Sequence, residues 1–269
     1  MCDLNNEKLI TKNSIFLDFC NSIPKNSTDG AIAKVVYSYF NKIDELTVDK
    51  IANESATSPS SVIRFFSKAG YSSVTEFKIE YSIYLNMFND ERKKIMNEIY
   101  PYSNLASFTS KYYDYVTLNL INTSNCINLN TTSVMWENIL KKNKIFIISD
   151  KHSLTELGVI QIALLSYGIQ TFLIPFHEAH SIKFENDDAL IVASIDSKYN
   201  SKITHFLFNS AKIANCYSVL ITQDDYPDID PDIKYFYGVQ NYSIIGYYSL
   251  SFLANLFVFT IDYLKSLEY

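Results

Sequence analysis

The spacing of apolar residues changes along the chain and divides it into two parts. Before residue 100, apolar side chains recur at every third or fourth position, which predicts amphipathic helices at 9–20, 31–43, 47–54, 58–70 and 74–97. Asp29 is expected to cap the second of these helices. From residue 144 onward, short apolar runs alternate with further helical patterns. The pattern therefore predicts an all-helical N-terminal region followed by an α/β part.

The second part carries strands and helices in alternation. The predicted strands are 144–149, 170–175, 189–194, 217–222 and 234–237, and the predicted helices are 105–121, 133–142, 153–167, 203–214 and 243–267. Such an alternation builds a parallel sheet covered on both faces, with ligands at the carboxyl ends of its strands. We therefore expect a helical domain at 1–80, a connector at 81–104 and a parallel-sheet α/β sandwich at 105–269.

One stretch, residues 46–78, has the residue types and spacing of two short helices joined by a tight turn. Thr47 and Ser58 are each placed as an N-cap, and Pro59 suits the first helical position because its missing N–H has no partner there. Gly70 is suited to the left-handed conformation that ends a helix. Such a pair is either a helix-turn-helix that reads DNA or an αα-hairpin within an ordinary helical domain.

The same stretch resembles the N-terminal motif of the RpiR/MurR family of bacterial transcriptional regulators. The matching residues are Ala52, Ser58, Ser61, Val62, Arg64, Phe65, Gly70, Tyr71, Phe77 and Lys78. Thr57 departs from the family, whose pattern has an apolar residue there. The resemblance implies a helix-turn-helix that binds double-stranded DNA, with candidate contacts from Thr47, Ser58, Ser60, Ser61, Arg64 and Lys68. Arg64 has a second interpretation, an ion pair within its own domain.

In that family a sugar isomerase (SIS) domain follows the DNA-binding motif and binds a phosphorylated sugar. The resemblance therefore also implies a ligand site, formed by loops at 149–153 and 194–199. Ser153 and Ser194 match the family's loops. The departures are Ser149 and Lys151 in place of two glycines, and Asp196 and Ser197 in place of a serine and a glycine. The candidate ligand-binding residues are Lys151, His152, Ser153, Ser194 and Ser197.

These departures leave three interpretations of the ligand site open. Glycines let a backbone approach a phosphate closely, and their loss works against such a site. Asp150 and Asp196 would repel a dianion, whereas Lys151 and His152 supply positive charge. The domain therefore binds a phosphorylated sugar, binds a changed ligand, or is purely structural. We expect it to sense a small effector, with or without a phosphate group.

A sugar-phosphate isomerase is the alternative function. Such an enzyme needs a positioned general base, and the loop at 238–241, where the isomerases carry a catalytic carboxylate, contains no acid. We therefore expect a regulator without catalytic residues. A metal site at His177 and His180 would need more ligands nearby, and the acidic run at 224–232 lacks the Gly and Glu of a calcium loop. We expect neither a metal site nor a cofactor.

Charge and cysteine content refine this picture. The net charge is −6, but residues 1–80 hold 9 Lys and Arg against 10 Asp and Glu, so most of the acidic excess lies elsewhere. Weak attraction to phosphates predicts that two or more copies bind together, as a homodimer or tetramer. The 4 cysteines show no paired or metal-binding spacing. With no signal peptide and no long apolar run, we expect a cytoplasmic protein without a membrane partner.

Overall fold

The computed structural model describes residues 16–101, 103–194, 197–223, 226, 228–237 and 243–267. The chain divides into two compact units, Met1–Lys94 and Ile95–Tyr269, and the division falls inside one long helix, Val74–Ile99. Among the helices in the described ranges, none has both the length and the apolar character needed to cross a membrane.

The N-terminal unit consists of helices packed around a cluster of aromatic rings. Its elements are α1 at 16–22, α2 (Thr28–Ser38), a 3-10 helix (Phe40–Glu45), α3 (Val48–Glu54), α4 (Pro59–Lys68) and the start of α5 (Val74–Ile99). Phe16, Phe65, Phe66 and Phe77 are fully buried. The ring centroids of Phe16 and Phe77 lie 4.5 Å apart, and those of Phe66 and Phe77 lie 5.0 Å apart. Because α4 supplies two of these rings, the aromatic core determines which face of α4 is turned outward.

The start of α2 differs from the prediction. Ser27, and not Asp29, is the N-cap residue, because its hydroxyl oxygen accepts the Gly30 N–H at 3.0 Å. Asp29 lies in the first turn, where the helix dipole favours a negative charge. Its carboxylate accepts a hydrogen bond at 2.7 Å from Lys68 at the end of α4. Asp29 therefore connects two helices instead of capping one.

The turn between α3 and α4 contains a left-handed residue that is not glycine. Ala56 has a φ of 52°, and the N–H groups of Thr57 and Ala56 donate to the carbonyls of Ala52 and Asn53 at 2.9 and 3.3 Å. This pair of hydrogen bonds ends a helix in the geometry that glycine usually adopts. Gly70, with a φ of 86°, ends α4 as predicted.

The C-terminal unit is built on a parallel sheet. Besides the end of α5, its elements are α6 (Leu105–Cys126), α7 (Leu129–Ile139), β1 (Lys144–Ser149), α8 (Lys151–Ser166), β2 (Gln170–Pro175), a 3-10 helix (Phe176–Ser181), β3 (Asp188–Ser194), α9 (Ser197–Ile213), β4 (Tyr217–Thr222), β5 (Ile233–Phe236) and α10 (Ser243–Ser266). The strand order is β2-β1-β3-β4-β5, and all neighbouring pairs are parallel. The predicted fold class, a helical N-terminal region followed by a parallel-sheet α/β sandwich, is confirmed.

Alternate residues of the strands enter two cores, one on each face of the sheet. Ile147 and Ile191 belong to the core that includes α7, α8 and α10, whereas Ile148 and Leu190 belong to the core that includes α9. The strand order reverses at β1, which pairs with β2 on one side and with β3 on the other. Ligands of open parallel sheets bind at the carboxyl ends of the strands beside such a reversal. The ends of β1 and β3 are therefore the candidate ligand position.

The three described cysteines are free, as the sequence predicts. Cys20 and Cys216 are buried, and burial raises the pKa of each thiol to about 12. Cys126 is exposed. Because the thiolate is the reactive form, Cys20 and Cys216 are structural residues at neutral pH.

The left-handed Ala56 gives a prediction about stability. Replacing Ala56 with Gly should raise the free energy of unfolding of the N-terminal unit by about 0.5–1 kcal/mol, because glycine adopts this φ without steric strain. Replacing Gly70 with Ala should lower it by about 1–2 kcal/mol for the same reason. Urea unfolding followed by far-UV circular dichroism measures both changes. Buried Trp136 is the one tryptophan, so its fluorescence identifies the transition of the C-terminal unit. If the two substitutions changed the free energy of unfolding in the same direction, this explanation would be contradicted.

Candidate functional site

The exposed face of α4 carries a short row of polar and aliphatic side chains. Ser60, Ile63, Arg64 and Ser67 are exposed and lie on one side of the helix, whereas the opposite side is buried in the aromatic core. Their spacing of three and four residues is that of one helical face. Ile63 keeps 54% of its surface exposed, which is unusual for an isoleucine. This row, the α4 stripe, is a surface that the unit itself leaves uncovered.

The first turn of α4 is rich in hydroxyl groups. The Ser58 hydroxyl oxygen accepts the Ser61 N–H at 3.2 Å, so Ser58 is the N-cap that the sequence predicts. Its oxygen also lies 2.8 Å from the Ser60 hydroxyl and 2.9 Å from the Ser61 hydroxyl. Thr47 caps α3 in the same way, accepting the Lys50 N–H at 3.2 Å. The positive end of the α4 dipole and these hydroxyls together favour a phosphate group nearby.

The cationic side chains of the N-terminal unit differ in whether they form ion pairs within the unit. Arg64 is exposed and forms no ion pair with any residue that the structure describes. Lys68 instead forms an ion pair with Asp29 at 2.7 Å. Lys50 pairs with Glu45 at 3.1 Å. Of the two predicted cationic DNA contacts, Arg64 is therefore the one whose charge is directed to solvent.

Two residues of the α4 stripe were not among the predicted contacts. Ile63 and Ser67 lie three residues beyond Ser60 and Arg64, respectively, and share their exposed face. The helical period alone would have identified them, because Val62, Phe65 and Phe66 mark the buried side. Ser61, in contrast, is only half-exposed, and its hydroxyl lies against Ser58.

At the carboxyl ends of the strands, the serine hydroxyls of the predicted ligand loops are turned inward. Ser149 is fully buried, and its hydroxyl donates to the Ala193 carbonyl at 2.5 Å. Ser194 is also fully buried, with its hydroxyl 2.7 Å from that of Tyr226. Both hydroxyls therefore connect neighbouring segments of the unit.

The N-terminus of α8 is capped by a carboxylate. Asp150 Oδ1 accepts the N–H groups of His152 and Ser153, each at 3.0 Å, and Oδ2 accepts the Ser153 hydroxyl at 2.5 Å. The Tyr247 hydroxyl donates to Oδ1 at 3.4 Å. Ser153 is fully buried, whereas Lys151 and His152 are exposed. The His152 ring lies 5.6 Å from that of Tyr247. Two backbone N–H groups and two hydroxyls therefore all donate to the Asp150 carboxylate at the start of α8.

The remaining predicted positions are described in part. The side chain of Ser197, together with Ile195 and Asp196, lies outside the described residues, as does the loop at 238–241.

The sequence did not single out Gln223, the first residue after β4. Both polar atoms of its side-chain amide are shielded from solvent without a partner in the described ranges. Its amide is an additional polar group at the carboxyl edge of the sheet.

The histidine pair and the acidic run make local contacts. His177 Nε2 lies 3.4 Å from a Glu178 carboxylate oxygen. Asp230 lies 3.3 Å from Lys212, and Asp232 accepts the Ser218 N–H at 2.8 Å. Residues 224, 225 and 227 lie outside the described part of the chain. Within the described ranges no cluster of three or more potential metal ligands is present.

No protein-family model matches the chain, and no curated protein matches it. Among solved structures, the chain is similar to the Vibrio vulnificus NanR protein complexed with ManNAc-6P, with 13% identity, a TM-score of 0.45, and coverage of 92% of this chain and 90% of that chain. A sugar isomerase domain of an RpiR transcription factor from Sphaerobacter thermophilus has 17% identity, a TM-score of 0.45, and coverage of 55% and 86%. A Methanococcus jannaschii protein with an inferred function of 3-hexulose-6-phosphate isomerase has 19% identity, a TM-score of 0.48, and coverage of 58% and 90%. At these values the fold assignment rests on the chain's own strand order.

The cap of α8 gives a prediction about stability. Replacing Asp150 with Ala should lower the free energy of unfolding of the C-terminal unit by about 1–2 kcal/mol, because two N–H groups lose their acceptor. Asp150→Asn retains an acceptor oxygen and should lose less. Urea unfolding followed by the fluorescence of buried Trp136 measures the change.

The matched control is Asp187→Ala, which removes an exposed carboxylate just before β3. It should change the same free energy by less than about 0.5 kcal/mol. Equal effects at Asp150 and Asp187 would contradict the capping role.

Proposed function

We propose that the chain is a bacterial transcriptional regulator that binds double-stranded DNA through α3 and α4. The α4 stripe carries this proposal: it is an exposed row of Ser60, Ile63, Arg64 and Ser67 on a helix whose other face is fully buried. A helix of this kind, preceded by a short turn and a packed helix, has the form of a recognition helix that enters the major groove. The resemblance of residues 46–78 to RpiR/MurR regulators supports the same function.

The chemistry of the stripe fits base edges and phosphates. A guanidinium such as that of Arg64 bonds to two acceptors of guanine, and an exposed aliphatic side chain such as Ile63 contacts a thymine methyl group. Ser60, at the start of α4, is placed for a phosphate together with the N-cap Ser58. In this assignment Thr47 supports α3, and Ser61 supports the cap of α4.

Binding requires more than one copy of the chain. Residues 1–80 carry no net positive charge, and the ion pair with Asp29 partly neutralises Lys68. One N-terminal unit, or reader, therefore has few cations that can contact phosphates, and such contacts supply a large share of the affinity of DNA-binding proteins. A homodimer or tetramer that places two readers on two half-sites gains affinity by linkage.

The C-terminal unit is the proposed sensor. In this proposal residues 1–80 read DNA, 81–104 connect, and 105–269 form an SIS-like domain that responds to a small sugar metabolite. A ligand at the carboxyl ends of β1 and β3 would favour one arrangement of the paired readers. Couplings of this kind typically amount to about 1–3 kcal/mol.

The role of Arg64 is tested by its removal. Arg64→Ala should weaken binding to a duplex that the wild-type protein enriches from a random pool by about tenfold or more, because a bidentate contact to a base contributes about 1–3 kcal/mol. Fluorescence anisotropy measures the affinity. The matched control is Lys34→Ala, which removes an exposed cation from α2 and should change the affinity less than about threefold. An unchanged affinity for a folded Arg64→Ala variant would contradict the assigned role.

The ion pair of Lys68 gives a second DNA-binding prediction. Asp29→Asn removes the partner of Lys68, so the freed ammonium should reach a phosphate and increase the affinity at low salt. The plot of log affinity against log salt should become steeper by about 0.9 for each additional phosphate contact. The double variant Asp29→Asn, Lys68→Ala should lose the added steepness. A slope that is the same in all three proteins would show that Lys68 does not contact DNA.

A further inference from the structure

We infer that Asp150 takes the place of an effector's phosphate at the start of α8, so that this end of the helix excludes the phosphate group of a ligand. The inference rests on the proposed function, because it concerns which effectors the SIS-like domain accepts. The resemblance to regulators that bind a phosphorylated sugar implies the opposite preference. The residues at the end of β1 favour exclusion at this position.

Four hydrogen-bond donors at the start of α8 already have an acceptor within the protein. The N–H groups of His152 and Ser153 and the Ser153 hydroxyl all donate to the Asp150 carboxylate, at 3.0, 3.0 and 2.5 Å. The Tyr247 hydroxyl donates to the same group. These are the kinds of donor that hold a phosphate at a helix N-terminus. A phosphate would therefore find its donors occupied by an anion of the protein.

The burial of the loop serines is a second, independent observation. Ser149, Ser153 and Ser194 each have 0% of their surface exposed. Ser149 donates to the Ala193 carbonyl, and the Ser194 hydroxyl lies against that of Tyr226. Because these hydroxyls are buried, a ligand bound at the protein surface does not contact them. The two serines that match the family's loops are therefore structural here.

Charge adds to the exclusion. A phosphate dianion at the start of α8 would lie within a few ångströms of the Asp150 carboxylate, and like charges at this separation repel. Lys151 and His152 are exposed on the same turn. Removing the Asp150 charge would leave the positive end of the helix dipole without the carboxylate of the cap. The start of α8 would then be suited to phosphate.

The test compares four full-length proteins: wild type, Asp150→Ser, Asp150→Asn and the matched control Asp187→Ser. Serine and asparagine both keep an N-cap oxygen, so α8 should still form. Inorganic phosphate and glucose 6-phosphate are titrated separately, and binding is read from phosphorus-31 line widths. The wild type and Asp187→Ser should show no saturable binding. The Asp150 variants should bind both probes with dissociation constants of about 1–10 mM.

Two results would overturn the inference. One is saturable binding of either probe by the wild type that is as tight as binding by the Asp150 variants. The other is the absence of any gain in a variant that is folded by circular dichroism and Trp136 fluorescence. Asp150→Asn, nearly the same shape as the native residue, keeps the test available if Asp150→Ser does not fold. The titrations need no DNA, so a failure of the proposed DNA binding would be seen separately, in the anisotropy measurements.

Discussion

The burial of Phe65 and Phe66 is the interaction on which the proposed DNA-binding surface depends. Both rings lie in the aromatic core with Phe16 and Phe77, and all four are inaccessible to solvent. Because a helix is a rigid cylinder with a fixed period, burying one side of α4 determines what the other side presents. The α4 stripe is therefore a consequence of core packing. Each aromatic contact adds about 0.5–1.5 kcal/mol to area burial, so several together resist rotation of α4 about its axis.

In the C-terminal unit, one carboxylate at the start of α8 occupies a position that is suited to a bound anion. An open parallel sheet places a helix N-terminus beside the end of β1, and that N-terminus favours a negative charge. Here Asp150 supplies that charge from within the chain and accepts the local donors. The fold is thus preserved while the place of a phosphate is filled. Recognition of a ligand would have to rely on neighbouring groups, of which the buried amide of Gln223 is one.

The sequence predicted the elements well because their signals are local. The alternation of apolar runs and helical periods identified all five strands within one residue, and the caps Thr47 and Ser58 were placed correctly. The contact between Asp29 and Lys68 spans 39 residues and has no local signal, so Asp29 was misassigned as a cap. The hydrogen bonds from His152, Ser153 and Tyr247 to Asp150 likewise depend on side-chain rotamers, which the sequence pattern does not show. Ile63 was overlooked because an aliphatic residue on a helix is ordinarily assigned to the core.

The central claim is that the α4 stripe reads DNA sequence from paired copies of the chain. Enrichment of duplexes from a random pool by the purified wild-type protein at low salt tests this claim most directly. The account predicts a sequence with two inverted half-sites about 10 base pairs apart or at a multiple of that spacing, since two readers related by a twofold axis face successive turns of the groove. It also predicts that this enrichment is lost when Ser60, Ile63, Arg64 and Ser67 are all replaced by Ala. A pool that remains random with the wild-type protein, or the same enriched sequence with the fourfold variant, would contradict it.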